Sequence, residues 1–216
     1  MIRVDTLSVG PFQSNCHIVS CDETGQAALF DPGDEDERIL EAINKLGAKV
    51  TAIVCTHAHL DHVSALPEVA AALKVPVLMH RAELPIYEMV ETQAAMFGLS
   101  APGRAAIDRY MEDGEILEVG NLRARILLSP GHSPGSVCAL FDGASPAHIV
   151  VGDVLFQGSI GRTDLPGGDY DTIINTLRNR FLPLADDTIV HSGHGPDTTI
   201  GWEKRTNPFL APLARG

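Results

Sequence analysis

The sequence predicts an α+β protein in which two β-sheets pack face to face with helices on their outer sides. Three observations lead to that class. Strand-like runs fall in two groups, each followed by helices, as expected when each sheet needs a helical cover. The run Val50–Cys55 is apolar without alternation, which marks a strand covered on both faces. No linker, low-complexity segment or charge block divides the 216 residues, so positions 1–216 read as a single domain with a well-buried core.

The elements follow in order. Strand-like runs open the chain at Arg3–Val9, His17–Ser20 and Ala27–Phe30, separated by turn residues. Asp31-Pro32-Gly33 reads as a plain turn. Asp34–Leu46 reads as a helix, acidic at its start and closed by Gly47. Beyond Val50–Cys55 a helix is expected over Leu66–Lys74, with Pro67 tolerated in its first turn. Val75–Met79 is a short strand, Arg81–Phe97 a helix, and Leu99–Arg104 a loop. On that helix Tyr87, Met89 and Met96 read as core-facing. The second half repeats the rhythm with strands at Glu115–Val119, Arg123–Leu128, Val137–Phe141 and His148–Val151. A helix over Asp169–Arg180, a buried strand at Thr188–His191 and a short helix at Ile200–Arg205 follow.

Composition narrows the function classes. A formal charge of −12 argues against nucleic acid or an anionic membrane surface as partner, since both are bound through lysine and arginine. The four cysteines form no C-x-x-C pair. Cys55 and Cys138 lie in apolar runs and read as buried free thiols, while a Cys16–Cys21 disulfide stays open. The N-terminus carries no apolar leader with a cleavage site, and no run approaches the roughly 20 apolar residues that span a bilayer. These features suggest a reduced, cytoplasmic protein, with its oligomeric state undetermined.

The chemistry concentrates in Thr56-His57-Ala58-His59-Leu60-Asp61-His62, directly after the apolar strand. Side chains two apart on extended backbone project the same way, so His57 and His59 are placed to grip one cation. Asp61 and His62 follow where the chain is expected to turn into a helix, so they can point at a neighbouring position. Neutral imidazole and carboxylate suit zinc, iron or manganese. Structural zinc sites prefer cysteine and closed coordination, so this pattern reads as catalytic rather than structural.

A two-metal site needs further ligands, and three more strand ends supply them. Pro130-Gly131-His132-Ser133-Pro134-Gly135 carries His132. Val150-Val151-Gly152-Asp153 ends on Asp153, and His191-Ser192-Gly193-His194-Gly195 sets His194 between glycines. His17, His80, His148 and His191 read as structural histidines.

The pattern His57-x-His59-x-Asp61-His62 with His132, Asp153 and His194 resembles the metallo-β-lactamase superfamily. The resemblance implies a four-layer αββα sandwich. It implies His57, His59 and His132 on a first metal, Asp61, His62 and His194 on a second, and Asp153 bridging them. Two zinc ions per chain are implied, with iron or manganese as alternatives, and His59, Asp61 and Asp153 are counted with the catalytic residues. The segment from Gly152 to Asp164, which includes Gly158-Ser159-Ile160-Gly161-Arg162, is similar to the short single-domain bacterial members of the glyoxalase II (hydroxyacylglutathione hydrolase) group. Full-length glyoxalase II carries a C-terminal helical domain that this sequence lacks. Arg162 falls where that group holds glutathione, which makes it a substrate-binding candidate; an ion pair with Asp164 is the plain alternative.

The implied reaction is hydrolysis of a hydroxyacyl thioester such as S-lactoylglutathione by a metal-bound hydroxide. Zinc lowers the pKa of bound water from about 15.7 to about 7. A thiolate leaves without a proton because thiol pKa values lie near 8.5, whereas an amide nitrogen needs a donor. A mononuclear iron persulfide dioxygenase and a lactone hydrolase of the same fold are the enzyme alternatives. A metal-storing module is the non-enzyme one.

Overall fold

The computed structural model describes residues Met1–Arg215. In chain order the elements are β1 (Ile2–Val9), β2 (Ser14–Cys21), β3 (Gln26–Phe30), α1 (Asp36–Leu46), β4 (Lys49–Val54), α2 (Leu60–Val63), α3 (Leu66–Leu73), β5 (Val77–His80), α4 (Leu84–Tyr87), α5 (Val90–Met96) and β6 (Arg109–Met111). They continue with β7 (Ile116–Val119), β8 (Leu122–Leu128), β9 (Val137–Phe141), β10 (His148–Gly152), β11 (Leu155–Phe156), β12 (Ser159–Ile160), α6 (Tyr170–Thr176), β13 (Ile189–Ser192), β14 (Thr198–Thr199), α7 (Ile200–Thr206) and α8 (Leu210–Arg215). The chain divides into two compact units, Met1–Met111 with Glu118–Leu122, and Glu112–Leu117 with Arg123 onward.

The first unit holds a six-stranded sheet in the order β1-β2-β3-β4-β5-β6. Its first three strands are antiparallel; β3, β4, β5 and β6 run parallel. Parallel neighbours bring their carboxyl ends to one edge, where open α/β sheets gather ligand-binding residues. Phe30 pairs with Val54, so Asp31 and the histidine cluster leave the sheet side by side. Ile39 and Ile43 of α1 and Leu66 and Val69 of α3 bury against Leu29, Ile53 and Met79 in one apolar core.

The second sheet runs β14-β13-β10-β9-β8-β7. In the second unit, Leu140 of β9, Ile149 of β10 and Val190 of β13 pack with Ile173, Leu177 and Phe181, the apolar stripe of α6 and its continuation. That stripe explains why the segment is helical: Ile173, Leu177 and Phe181 recur every four residues. Its last turn, Leu177–Phe181, is wound as a π-helix.

The structure departs from the sequence reading in four places. Arg81–Phe97 is not one helix but a 3₁₀ turn at Arg81–Glu83 followed by α4 and α5. Tyr87 is buried there, yet Met89, at the junction of α4 and α5, is 53% and Met96 80% exposed, since a broken helix offers no single stripe for the three to share. The short strands β6, β11, β12 and β14 and the helix α8 were not legible, being stretches too short to show a period. Asp31-Pro32-Gly33 is not a plain turn: Asp31 is buried and has a φ of 52°. All four cysteines are free buried thiols, which leaves no Cys16–Cys21 disulfide; both sit on β2, five residues apart. Among the described residues no helix is long and apolar enough to cross a membrane.

Candidate metal centre

In the first unit the chain leaves β4 at Val54 and enters α2 at Leu60, and the residues between are held by side chains from elsewhere in the unit. Asp31 accepts from the Thr56 backbone N–H at 2.7 Å and from the Thr56 hydroxyl at 2.6 Å. Buried Glu83 accepts from Ala58 N–H at 2.8 Å, Gln93 accepts from Leu60 N–H at 3.0 Å, and the Ser14 hydroxyl donates to the Asp61 carbonyl at 2.5 Å. A loop this short cannot bond its own amides in a ladder, so these side chains supply the partners that buried amides require.

The hydrogen bonds also decide which nitrogen of each ring carries the proton. Asp31 Oδ2 lies 3.1 Å from His62 Nδ1, and a carboxylate only accepts, so His62 Nδ1 is the protonated nitrogen. Thr56 Oγ1 has given its single proton to Asp31, so at 3.0 Å it accepts from His57 Nδ1–H. Both rings therefore present Nε2 with its lone pair, the form in which imidazole binds a metal. His57 and His62 have ring centroids 4.1 Å apart, and His59 meets His57 edge to face at 4.9 Å. His62 Nε2 stands 3.6 Å from Asp61 Oδ2. Asp31, His57 and His62 offer atoms within 4.8 Å of one another, but Asp31 already serves Thr56 and His62 and is a support rather than a ligand.

In the second unit His132, Asp153 and His194 come together. His132 Nδ1–H donates to the backbone carbonyl of Arg162 at 2.8 Å, which again leaves Nε2 as the lone-pair nitrogen. Asp153 Oδ2 lies 3.7 Å from His132 Nε2 and 3.5 Å from His194 Nε2. These separations, like that of Asp61 and His62, are too long for good hydrogen bonds. They match the spacing of about 3.4 Å between two ligands of one tetrahedral cation with bonds of about 2.1 Å. Neutral imidazoles and carboxylates at that spacing fit a divalent metal, and zinc, iron and manganese all suit the set.

Two backbone features aim Asp153. The β10–β13 pairing shifts register between Val150 and Gly152, and Gly152 has a φ of 50°, so the strand end swings the carboxylate out of the ladder. Gly161 lies so close that a Cβ there would stand 1.8 Å from the Asp153 carbonyl oxygen and 2.9 Å from His132 Nδ1. The Arg162 side chain pairs with Asp164 through two 2.7 Å bonds, both side chains being mostly exposed, and the guanidinium holds the Asp164 carboxyl down at about 2.

The seven predicted residues fall into two clusters, His57, His59, Asp61 and His62 in the first unit and His132, Asp153 and His194 in the second. Sequence reasoning missed Asp31, Thr56, Glu83 and Gln93. A signal existed for Asp31, a carboxylate ending an apolar strand, the same feature that drew attention to Asp153.

Comparison with known proteins agrees with this geometry. Residues 9–194 match the model of the metallo-beta-lactamase superfamily. The chain is 40% identical over 211 residues to hydroxyacylglutathione hydrolase GloC of Haemophilus influenzae, covering 97% of this chain and 98% of that one. Among solved structures it is similar to TTHA1623 in a di-iron-bound form, at 41% identity and a TM-score of 0.87, covering 95% and 100% of the two chains. The BLEG-1 B3 metallo-beta-lactamase is similar at 35% identity and a TM-score of 0.87, covering 96% and 99%. Ligand pattern, sheet order and these likenesses converge: the chain belongs to the metallo-β-lactamase superfamily.

Proposed function

We propose that the two ligand groups assemble one dinuclear centre that hydrolyses hydroxyacyl thioesters, S-lactoylglutathione being the type of substrate. His57, His59 and His132 would hold the first ion, Asp61, His62 and His194 the second, and Asp153 would bridge, with zinc as the expected metal and iron or manganese as substitutes. The observation that carries this reading is the common protonation pattern. His57, His62 and His132 each commit Nδ1–H to an oxygen of the protein and present Nε2. His62 and His132 offer that Nε2 lone pair 3.6 Å and 3.7 Å from the carboxylates of Asp61 and Asp153, too far for a good hydrogen bond and right for a shared cation. Asp153 Oδ2, near one imidazole of each implied set, suits a bridge.

When bound, the metal pair supplies Lewis acidity for a carbonyl and acidifies a water near neutral pH. The chain's own residues do the rest. Asp31, Thr56 and the Arg162 carbonyl hold three rings in the ligating tautomer, so no reorganisation is needed when the site fills. Arg162 is proposed to meet a substrate carboxylate. Its pair with Asp164 is exposed and worth little, so exchanging partners costs little. The carbonyl of the same residue fixes His132, which ties the position of this anchor to the ligand group. A thiolate leaves unprotonated, which suits a site of carboxylates and imidazoles, and the 40% identity to a protein named hydroxyacylglutathione hydrolase supports the thioester.

The likeness to BLEG-1 favours β-lactam hydrolysis as the second reading. A panel of S-lactoylglutathione, other acyl thioesters, a lactone and a chromogenic β-lactam, assayed with elemental analysis of the purified protein, separates them. The expected result is two ions per chain and thiol release far ahead of lactam opening. Failure to release thiol from every thioester in the panel overturns the proposal.

A further inference from the structure

His194 is the most weakly packed of the ligands: its side chain is 29% exposed, whereas His57, His62 and His132 are buried. It lies at the middle of Ser192-Gly193-His194-Gly195-Pro196, with a glycine on either side, so local backbone preference does little to place it. Three residues outside the ligand set stand at the base of this loop. His191 Nδ1 is 2.8 Å from Asp197 Oδ2, and His191 Nε2 is 2.9 Å from His148 Nδ1.

The register explains why they meet. β13 and β14 form an antiparallel pair in which Ile189 faces Thr199 and Val190 faces Thr198, so the next step along both strands places His191 opposite Asp197. The loop of five residues that carries His194 is therefore closed by a side-chain bond at its mouth. On the other side of β13, the parallel strand β10 pairs His148 with Ile189 and Val150 with His191. His148, Ile189 and His191 share one face, which lets the two rings touch across the sheet. Because a carboxylate only accepts, His191 Nδ1 carries the proton. Its Nε2 then accepts from His148 Nδ1–H, so every bond in the chain runs in one direction. Further bonds, from Gly193 N–H to the Gly152 carbonyl at 2.7 Å and from the Ser192 hydroxyl to the Leu155 carbonyl at 2.8 Å, fasten the loop to the strand end that bears Asp153.

We propose that His148, His191 and Asp197 are positioning residues that hold the His194 loop and thereby set the affinity of the second metal position. The inference rests on the dinuclear reading above. A ligand on a slack loop must lose its freedom when the ion binds, so pinning the loop in advance removes that cost from binding. The imidazoles proposed for the first ion, His57, His59 and His132, are buried and lie outside this loop, so the pin acts on that ion far less.

The test compares the wild type with Asp197→Ala, Asp197→Asn and His148→Ala. Zinc uptake is followed by titration against a chelator, and amide hydrogen exchange of residues 192–196 is measured on the metal-free protein. Asp197→Ala is expected to weaken the second uptake step by about 10- to 100-fold and leave the first nearly unchanged. It should also speed exchange in the loop. Asp197→Asn, which still accepts from His191 Nδ1–H, should restore both, and His148→Ala should give a smaller loss of the same kind. Unchanged loop exchange and second-step affinity in Asp197→Ala overturn the proposal, as does an equal loss of both ions. A wild type that takes up one ion while Asp197→Ala still frees the loop would sink the dinuclear reading and its consequence for affinity, yet leave the loop pin standing.

Discussion

Asp31 Oδ2 is 3.1 Å from His62 Nδ1, and the same carboxylate holds both the backbone and the hydroxyl of Thr56, so one buried side chain governs two histidines of the cluster. It adopts a left-handed backbone conformation that costs most residues about 1–2 kcal/mol and that aspartate tolerates through local hydrogen bonding. Asp31→Ala should therefore lower metal affinity by about 10- to 100-fold without removing any ligand. Chelator competition reads this directly, and an affinity equal to the wild type would show that the tautomers are set by something else.

Thr56 is the link between Asp31 and His57. Thr56→Ser keeps the hydroxyl and should retain metal binding. Thr56→Val takes away the acceptor for His57 Nδ1–H and the donor to Asp31, and should cost about 1–3 kcal/mol of stability. Thermal unfolding of the two variants side by side checks the difference.

Gly161→Ala places a methyl where the Asp153 carbonyl and the His132 ring already stand. The backbone must move, at a cost of about 2 kcal/mol, and both ligands move with it. The expected outcome is a lower melting temperature together with at least a tenfold loss of kcat/KM on the thioester that the wild type turns over best.

Arg162→Ala tests the proposed anchor. Its guanidinium is bonded to Asp164 and is not itself a metal-binding group, so metal content should not change. KM for a thioester bearing a carboxylate should rise about tenfold, while an uncharged acyl thioester should be unaffected. Equal effects on both substrates would assign Arg162 to the surface pair alone.

Burial pushes the Cys138 thiol up to about 12 and raises the Cys16 and Cys55 thiols well above their ordinary value of 9.0. At pH 8 the thiolate fraction of Cys138 is on the order of 10⁻⁴, so these three thiols should resist alkylation until the chain unfolds. The sign for stability follows: between pH 9 and 12 the unfolded chain loses these protons and the folded one keeps them, so stability falls as pH rises through that window. Iodoacetamide labelling with mass spectrometry, native against denatured, checks the first expectation, and denaturant unfolding at pH 8 and pH 10 the second.

Local sequence already determined most strands, the helix beginning after Asp34, and which seven residues are candidate ligands. An apolar run without alternation, a histidine or aspartate at its end and glycines around it are short-range features that survive in any fold. Only the tertiary structure decided which oxygen each imidazole faces. Asp31 and His62 are 31 positions apart, His132 and Arg162 30, and Ala58 and Glu83 25; no periodicity links such pairs. It also decided that Arg81–Phe97 breaks, because helix propensity is a weak prior that packing overrides. Candidate ligands are legible in residue type and spacing. The protonation state and aim of each ligand depend on long-range contacts that exist only once the sheets have formed.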